Sequence, residues 1–177
     1  IKEPIGSLKI FSKDLGPGNC LIDNWIRKNS NYKFDDKGLF ASRGQCNEII
    51  LEQAQELYNN RVDKNKGSFD INDFDISFAR GLSLEDGAAT LTEFTASIIG
   101  ENLTILFNKH SKIEEILVCG GGRKNESLLS SLSKKIPSKI SIKQIDKYEV
   151  NGDFVESQAF AYIAIRTYKN LPASFPS

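Results

Sequence analysis

Apolar and polar positions alternate with period two over residues 7–13 (SLKIFSK), the pattern of a half-buried strand. A Gly16-Pro17-Gly18-Asn19 turn follows, and Cys20, Leu21, Ile22, Trp25 and Ile26 then fall on one side of a predicted helix, with Asn19 in its N-cap place. Residues 30–44 are polar and glycine-containing and predict a loop. Residues 45–60 (QCNEIILEQAQELYNN) predict a helix with Ile49, Ile50, Ala54 and Leu57 on one side. No period runs through residues 61–81, which predict a long loop of the kind that usually carries function or moves. The longest helix is predicted over residues 83–110, opened by Ser83-x-x-Asp86, close to a capping box.

The rhythm changes in the last third. A short apolar run, predicted as a buried strand, stops in three glycines (EEILVCGGGRKN), and a helix is predicted over 126–135. Residues 138–145 alternate as a strand, and residues 153–170 predict a long terminal helix. Strand, helix, strand, helix predicts a parallel α/β unit.

Composition narrows the function classes. The 177 residues are 40% hydrophobic and 26% charged, which fits a single domain with a substantial core. With 23 basic residues against 23 acidic ones, no basic face for nucleic acid is expected. No apolar run approaches the roughly 20 residues needed to cross a bilayer, so no membrane partner is expected either. The sequence opens on Ile1 without the apolar run of a signal peptide and contains no Met, so it is expected to begin after processing or part-way through a longer protein. Cys20, Cys46 and Cys119 are odd in number and far apart, which suits neither a disulfide framework nor a zinc site. A reduced, cytoplasmic setting is the simplest reading, and no metal site is predicted.

Two glycine segments carry candidate chemistry. A strand that stops at Gly120, Gly121 and Gly122 and opens a helix leaves backbone N–H groups uncovered at the helix's positive end, where phosphates or a nucleoside can sit. The same residues also make a tight strand-to-helix turn, and neither G-x-G-x-x-G nor a Walker loop is present. Asp14, beside Gly16 and Gly18, has room to act as a general base on a substrate or water, and equally suits an Asx-type turn. Asn19 reads as a ligand contact or an N-cap, and Asp23 as a solvated helix carboxylate. Asp153 and Glu156 fall in the first turn of the predicted terminal helix, where acids complement the dipole. His110, the single histidine, closes a helix as a dipole partner.

Taken together these segments resemble one family, the anhydro-N-acetylmuramic acid kinases of bacterial cell-wall recycling. The resemblance rests on Asp14-Leu15-Gly16-Pro17-Gly18-Asn19 followed by Cys20, Leu21, Ile22, Asp23, Asn24 and Trp25, on Cys119-Gly120-Gly121-Gly122-Arg123-Lys124-Asn125, on Glu156-Ser157-Gln158-Ala159-Phe160-Ala161, and on residues 171–176 (LPASFP). TLTEFTA (90–96) is similar to the family's long middle helix. The resemblance implies an α/β fold, the C-terminal lobe of an actin-like ATPase (ribonuclease H-like) with helices packed on a mixed sheet, and residues 1–177 as that single lobe. It implies ATP and Mg²⁺ as cofactors and an amino-sugar substrate whose 1,6-anhydro bridge is opened by water before phosphoryl transfer to the 6-oxygen. Asp14 then takes the role of general base. Gly16, Gly18, Asn19 and Glu156 face the sugar, and Gly120, Gly121, Gly122 and Asn125 form the nucleoside shelf.

The departures are as specific as the match. The family's N-terminal Gly-Thr-Ser-x-Asp-Gly phosphate-binding segment has no counterpart here, so the N-terminal lobe is expected to be missing and to be needed as a separate chain. A non-catalytic nucleotide- or sugar-binding remnant is the alternative, and the family's tendency points to a homodimer. Leu15 stands where the family usually has Thr, and Gly67 where Lys is expected, although Ser68 and Asp70 are kept.

Overall fold

The computed structural model describes residues 13–61 and 74–173. Of the sequence-based expectations, the strand over 7–13, the Gly67, Ser68 and Asp70 positions and the end of the 171–176 segment lie outside the described residues, wholly or for the most part.

Among the described residues, six α-helices and two strands follow in the order α1 (Cys20–Asn29), α2 (Leu39–Arg43), α3 (Glu48–Arg61), α4 (Leu84–Lys109), β1 (Glu115–Val118), α5 (Glu126–Lys135), β2 (Ser141–Gln144) and α6 (Val155–Tyr168). The expected loop over 30–44 is only partly a loop. A 3-10 turn at Asp36–Gly38 runs into α2, because the Asp35 carboxylate accepts from the N–H groups of Phe40 (2.8 Å) and Ala41 (3.0 Å) and so caps that short helix. The two strands pair in parallel, Glu115 opposite Ser141 through Val118 opposite Gln144, with α5 as the crossover. The fold is thus α/β, mainly helical. Among the described residues the sheet is parallel rather than mixed.

Helix α4 is the axis of the molecule: 26 residues, about 39 Å at 1.5 Å per residue. Ser83 caps it, its hydroxyl accepting from the Asp86 N–H at 3.1 Å, as the sequence pattern predicts. Leu91, Phe94 and Ile98 of α4 enter a core completed by Leu21, Ile22, Trp25 and Ile26 of α1 and Leu51 and Ala54 of α3. Ala96, Leu103 and Phe107 of α4 enter a second core with Leu128 and Leu132 of α5. Fully burying side chains of this size stabilises by about 1.5–3 kcal/mol each, so both cores depend on one helix. Gly87 lets Trp25 lie flat on α4, since a methyl there would come within 2.3 Å of the indole ring. The indole N–H then donates to the Leu84 carbonyl at 2.9 Å.

Two expected buried faces differ from prediction. On α3 the stripe turned inward is Leu51, Ala54 and Tyr58, while Ile49 and Leu57 are exposed; among the described residues its main neighbour is α4, against which it buries one narrow face. Strand β1 is half-open rather than buried, with Leu117 45% exposed.

Candidate functional site

The Gly-Pro-Gly turn is pressed onto α4. A methyl on Gly16 would sit 2.8 Å from Ile99 Cγ1, and the Asn102 side-chain amide donates to the Leu15 carbonyl at 3.1 Å. Gly18 takes φ +56°, a left-handed conformation that suits glycine, with open space where a Cβ would be. The Cys20 N–H donates to the Pro17 carbonyl at 3.2 Å and closes the turn into α1.

Asn19 stands at the head of α1 but does not cap it. Its torsions (φ −80°, ψ −8°) are already helical, whereas a capping residue is extended so that its side chain folds back onto the free amides. Its Oδ1 is buried without a hydrogen-bond partner. The expectation of a simple N-cap is therefore corrected. The opposite holds at α5, where Asn125 is extended and its Oδ1 accepts from the Leu128 N–H at 3.0 Å. Asn125 is only 2% exposed, and its Nδ2 has no partner.

Both residues line one cleft of about 370 Å³. Asn19 and Asp23 contribute from α1, Phe34, Asp35, Asp36 and Lys37 from the segment before α2, and Gly121, Lys124 and Asn125 from the glycine shelf and the start of α5. Gly38 sets the third wall: at φ +76° it lies so close that a methyl would be 2.5 Å from Asn125 Oδ1, and the Ser127 hydroxyl donates to its carbonyl at 2.8 Å. Asp23 is half-buried, and its Oδ1 also lacks a partner. Burial pushes its carboxyl up, with nearby Asp35 adding to the effect, against Arg27 and the Asp35 N–H. The solvated-carboxylate reading of Asp23 is corrected accordingly.

The glycine shelf is open where a ligand would approach. Gly120 adopts φ +71°, ψ −174°, a region essentially reserved for glycine. A Cβ on Gly120 or Gly121 would meet nothing within 4 Å, and one on Gly122 would meet only Asn19 Oδ1, at 3.9 Å. The two glycine segments of the sequence thus face each other.

Arg123, 5% exposed, locks the shelf from behind. Its guanidinium forks onto Asp146 (2.7 and 3.1 Å) and donates to Asp153 (2.7 Å) and the Gly120 carbonyl (3.0 Å). Lys124 adds a second ion pair to Asp153 at 2.8 Å, and the Gly120 N–H donates to the Gly152 carbonyl at 2.9 Å. Arg123 and Lys124 hold the Asp153 carboxyl well below the usual carboxylate range. Asp153 is therefore an ion-pair residue ahead of α6, not a dipole partner in its first turn.

Of the residues singled out from sequence, Asn19, Gly121 and Asn125 line the cleft, and a Cβ on Gly122 would come 3.9 Å from Asn19 Oδ1. Gly120 belongs to the Arg123 clamp. Asp14 is exposed at the start of the turn and, like Gly16 and Gly18, is not part of the cleft lining. Glu156 is exposed in the first turn of α6, three residues beyond Asp153. Sequence reasoning favoured a solvated carboxylate for Asp23 and missed the 34–37 wall. The spacing Asn19–Asp23, four residues and so one helix face, was the available signal for the first. Among the described residues no group of three or more His, Cys, Asp or Glu side chains could hold a metal.

The architecture is that of an α/β protein whose strand and helix ends converge on a glycine-rimmed cleft. The chain belongs to the anhydro-N-acetylmuramic acid kinase family, whose model matches residues 6–177. It is 48% identical over 171 residues to the anhydro-N-acetylmuramic acid kinase of Pelagibacter ubique, covering 96% of this chain and 45% of that protein. The kinases of Zymomonas mobilis (36%, covering 94% and 44%) and Caulobacter vibrioides (35%, covering 97% and 44%) give the same picture. The chain spans somewhat under half the length of these relatives.

Proposed function

We propose that this chain is the C-terminal lobe of a two-lobed, ATP-dependent kinase that opens 1,6-anhydro-N-acetylmuramic acid with water and phosphorylates the freed 6-hydroxyl. The observation that carries this reading is the set of three buried, unpartnered polar atoms on the cleft: Asn19 Oδ1, Asp23 Oδ1 and Asn125 Nδ2. Leaving such an atom unsatisfied costs about 1–3 kcal/mol, a cost that a hydrogen-bonding ligand would offset. Two acceptors and one donor, beside glycines that keep side chains away, suit a ligand rich in hydroxyl or amino groups.

In this reading the Gly120–Gly122 shelf and Asn125 hold the nucleoside, Asn19 meets the ligand across the cleft, and the Gly16–Gly18 turn and Glu156 lie toward the sugar. Asp14 takes a proton from water, the water oxygen bonds to the anomeric carbon, and the bridging C–O bond breaks toward the 6-oxygen, which takes the γ-phosphoryl of ATP as its bond to the β–γ bridging oxygen breaks and ADP leaves. Mg²⁺ would neutralise phosphate charge. The described residues offer no three-donor cluster of their own for it, so it would enter held chiefly by the phosphates, as is usual for this ion. Phosphoryl transfer needs a closed, water-excluding site, which in this reading the other lobe completes. No helix among the described residues is long and apolar enough to cross a membrane, in keeping with a cytoplasmic kinase.

The test is a turnover assay with ATP, Mg²⁺ and the anhydro sugar, run on the chain alone and on the chain joined to the remaining part of the Pelagibacter relative. The phosphorylated sugar is expected only from the joined protein, and Asp14→Asn should then lower its rate by about 100-fold or more. An unchanged rate removes Asp14 from the base role. Nucleotide binding without turnover in the joined protein would favour a binding remnant instead.

A further inference from the structure

Helix α6 has no buried residue, yet its sequence is that of an interior helix. Seven consecutive apolar or aromatic residues, 159–165 (AFAYIAI), occupy its middle. At 3.6 residues per turn, seven in a row wrap almost twice around the axis, so every face is apolar. A helix apolar on all sides is enclosed on several sides in its working state. Instead, Phe160 is 64%, Ile165 56% and Tyr168 89% exposed.

We infer that α6 is an insertion helix that seats in an apolar cleft formed by the part of the kinase lying outside this sequence. Two observations select that occupant. More than half of each relative's length lies outside the matched region, enough to form a core and a groove of its own. A second copy of this chain packing helix on helix would cover one stripe of α6 and leave the opposite apolar face in water, which the all-round pattern does not fit. The root of α6 is fixed to the shelf: Asp153 pairs with Arg123 and Lys124, and the Gly152 carbonyl accepts from the Gly120 N–H. Seating the helix would therefore also set Glu156, in its first turn, relative to Gly120–Gly122. The inference rests on the two-lobed reading proposed above.

Amide hydrogen exchange tests it without reference to catalysis. The 177-residue chain is compared with the same chain joined in one polypeptide to the remaining part of the Pelagibacter relative. Amides of residues 155–168 should exchange at least about tenfold more slowly in the joined protein. Phe160→Glu should return them to the rate of the chain alone while leaving that chain's own melting temperature unchanged. Equal exchange in both proteins overturns the inference. So does protection in the chain alone that grows with concentration alongside a dimer in light scattering, which assigns the helix to a second copy. The intact Pelagibacter protein gives an independent reading: fast exchange in its segment matching 155–168 also overturns the proposal. A joined protein that protects α6 but phosphorylates nothing sinks the proposed reaction and leaves the docking intact.

Discussion

Asn19 and Asn125 stand at equivalent positions of two helices, and only one of them caps. Asn125 spends Oδ1 on the Leu128 N–H and keeps Nδ2 for the cleft, so its two ends can be separated by substitution. Asn125→Asp keeps the capping oxygen but removes the donor and buries a carboxylate, so it should weaken nucleotide binding in calorimetry and lower stability at pH 7. Asn125→Ala should lose both and lower the free energy of unfolding by about 1 kcal/mol in urea titrations. Asp23 gives the reverse effect on stability. Burial raises its carboxyl, so the charged form is disfavoured in the fold and the penalty is felt once pH rises through the folded value. Asp23→Asn should therefore stabilise the protein at pH 7, by less than about 1 kcal/mol given its partial exposure, and have no effect near pH 3.

At the scale of elements, the shelf is held by its backing rather than by its own backbone. Gly152 leaves room for the Arg123 guanidinium: a methyl there would fall 2.4 Å from Nε. Gly152→Ala should push Arg123 out of its fork onto Asp146, costing about 1–3 kcal/mol in chemical denaturation. Much of this scale was legible in the sequence. The stripe of α1, the Ser83 cap of α4, the limits of α5 and the parallel strand order all follow from local periodicity and turn chemistry. The inward face of α3 and the use of Asn19 were not, because both depend on which neighbour a helix meets. The wall at 34–37 was invisible for a further reason: its shape comes from Gly38 approaching Asn125 across 87 positions of sequence, a contact no local pattern encodes.

Across the whole molecule, carboxylates bind the elements together. Burial opposes ionisation of Glu93, but the Ser131 hydroxyl (2.5 Å) and the Lys135 ammonium (3.0 Å) outweigh it and hold the carboxyl below its ordinary value, tying α4 to α5. Asp146 and Asp153 are held down by Arg123, and Asp86 by the Gln45 N–H and the Ser83 hydroxyl. Depressed carboxyls contribute stability that is present above their unfolded values, 3.8 to 4.5 here, and lost as pH falls through the folded ones. Urea midpoints should thus be flat from pH 7 to about 5 and fall steeply below about 4. A midpoint still unchanged at pH 3 would mean these contacts add nothing. The family match, by contrast, was legible almost in full from the two glycine segments, since each needs a fixed string of residues rather than a three-dimensional neighbour.

One consequence of the 26-residue α4 reaches beyond stability. The Gly16 turn leans on Ile98 and Ile99 of that helix, and Leu128 of α5 shares a core with its Ala96 and Leu103, so both jaws of the cleft are bolted to the same bar. The gap between them is then a gauge length fixed by the pitch of a single rod. Bending that rod within residues 96–103 would change which ligands fit well before it loosened either core.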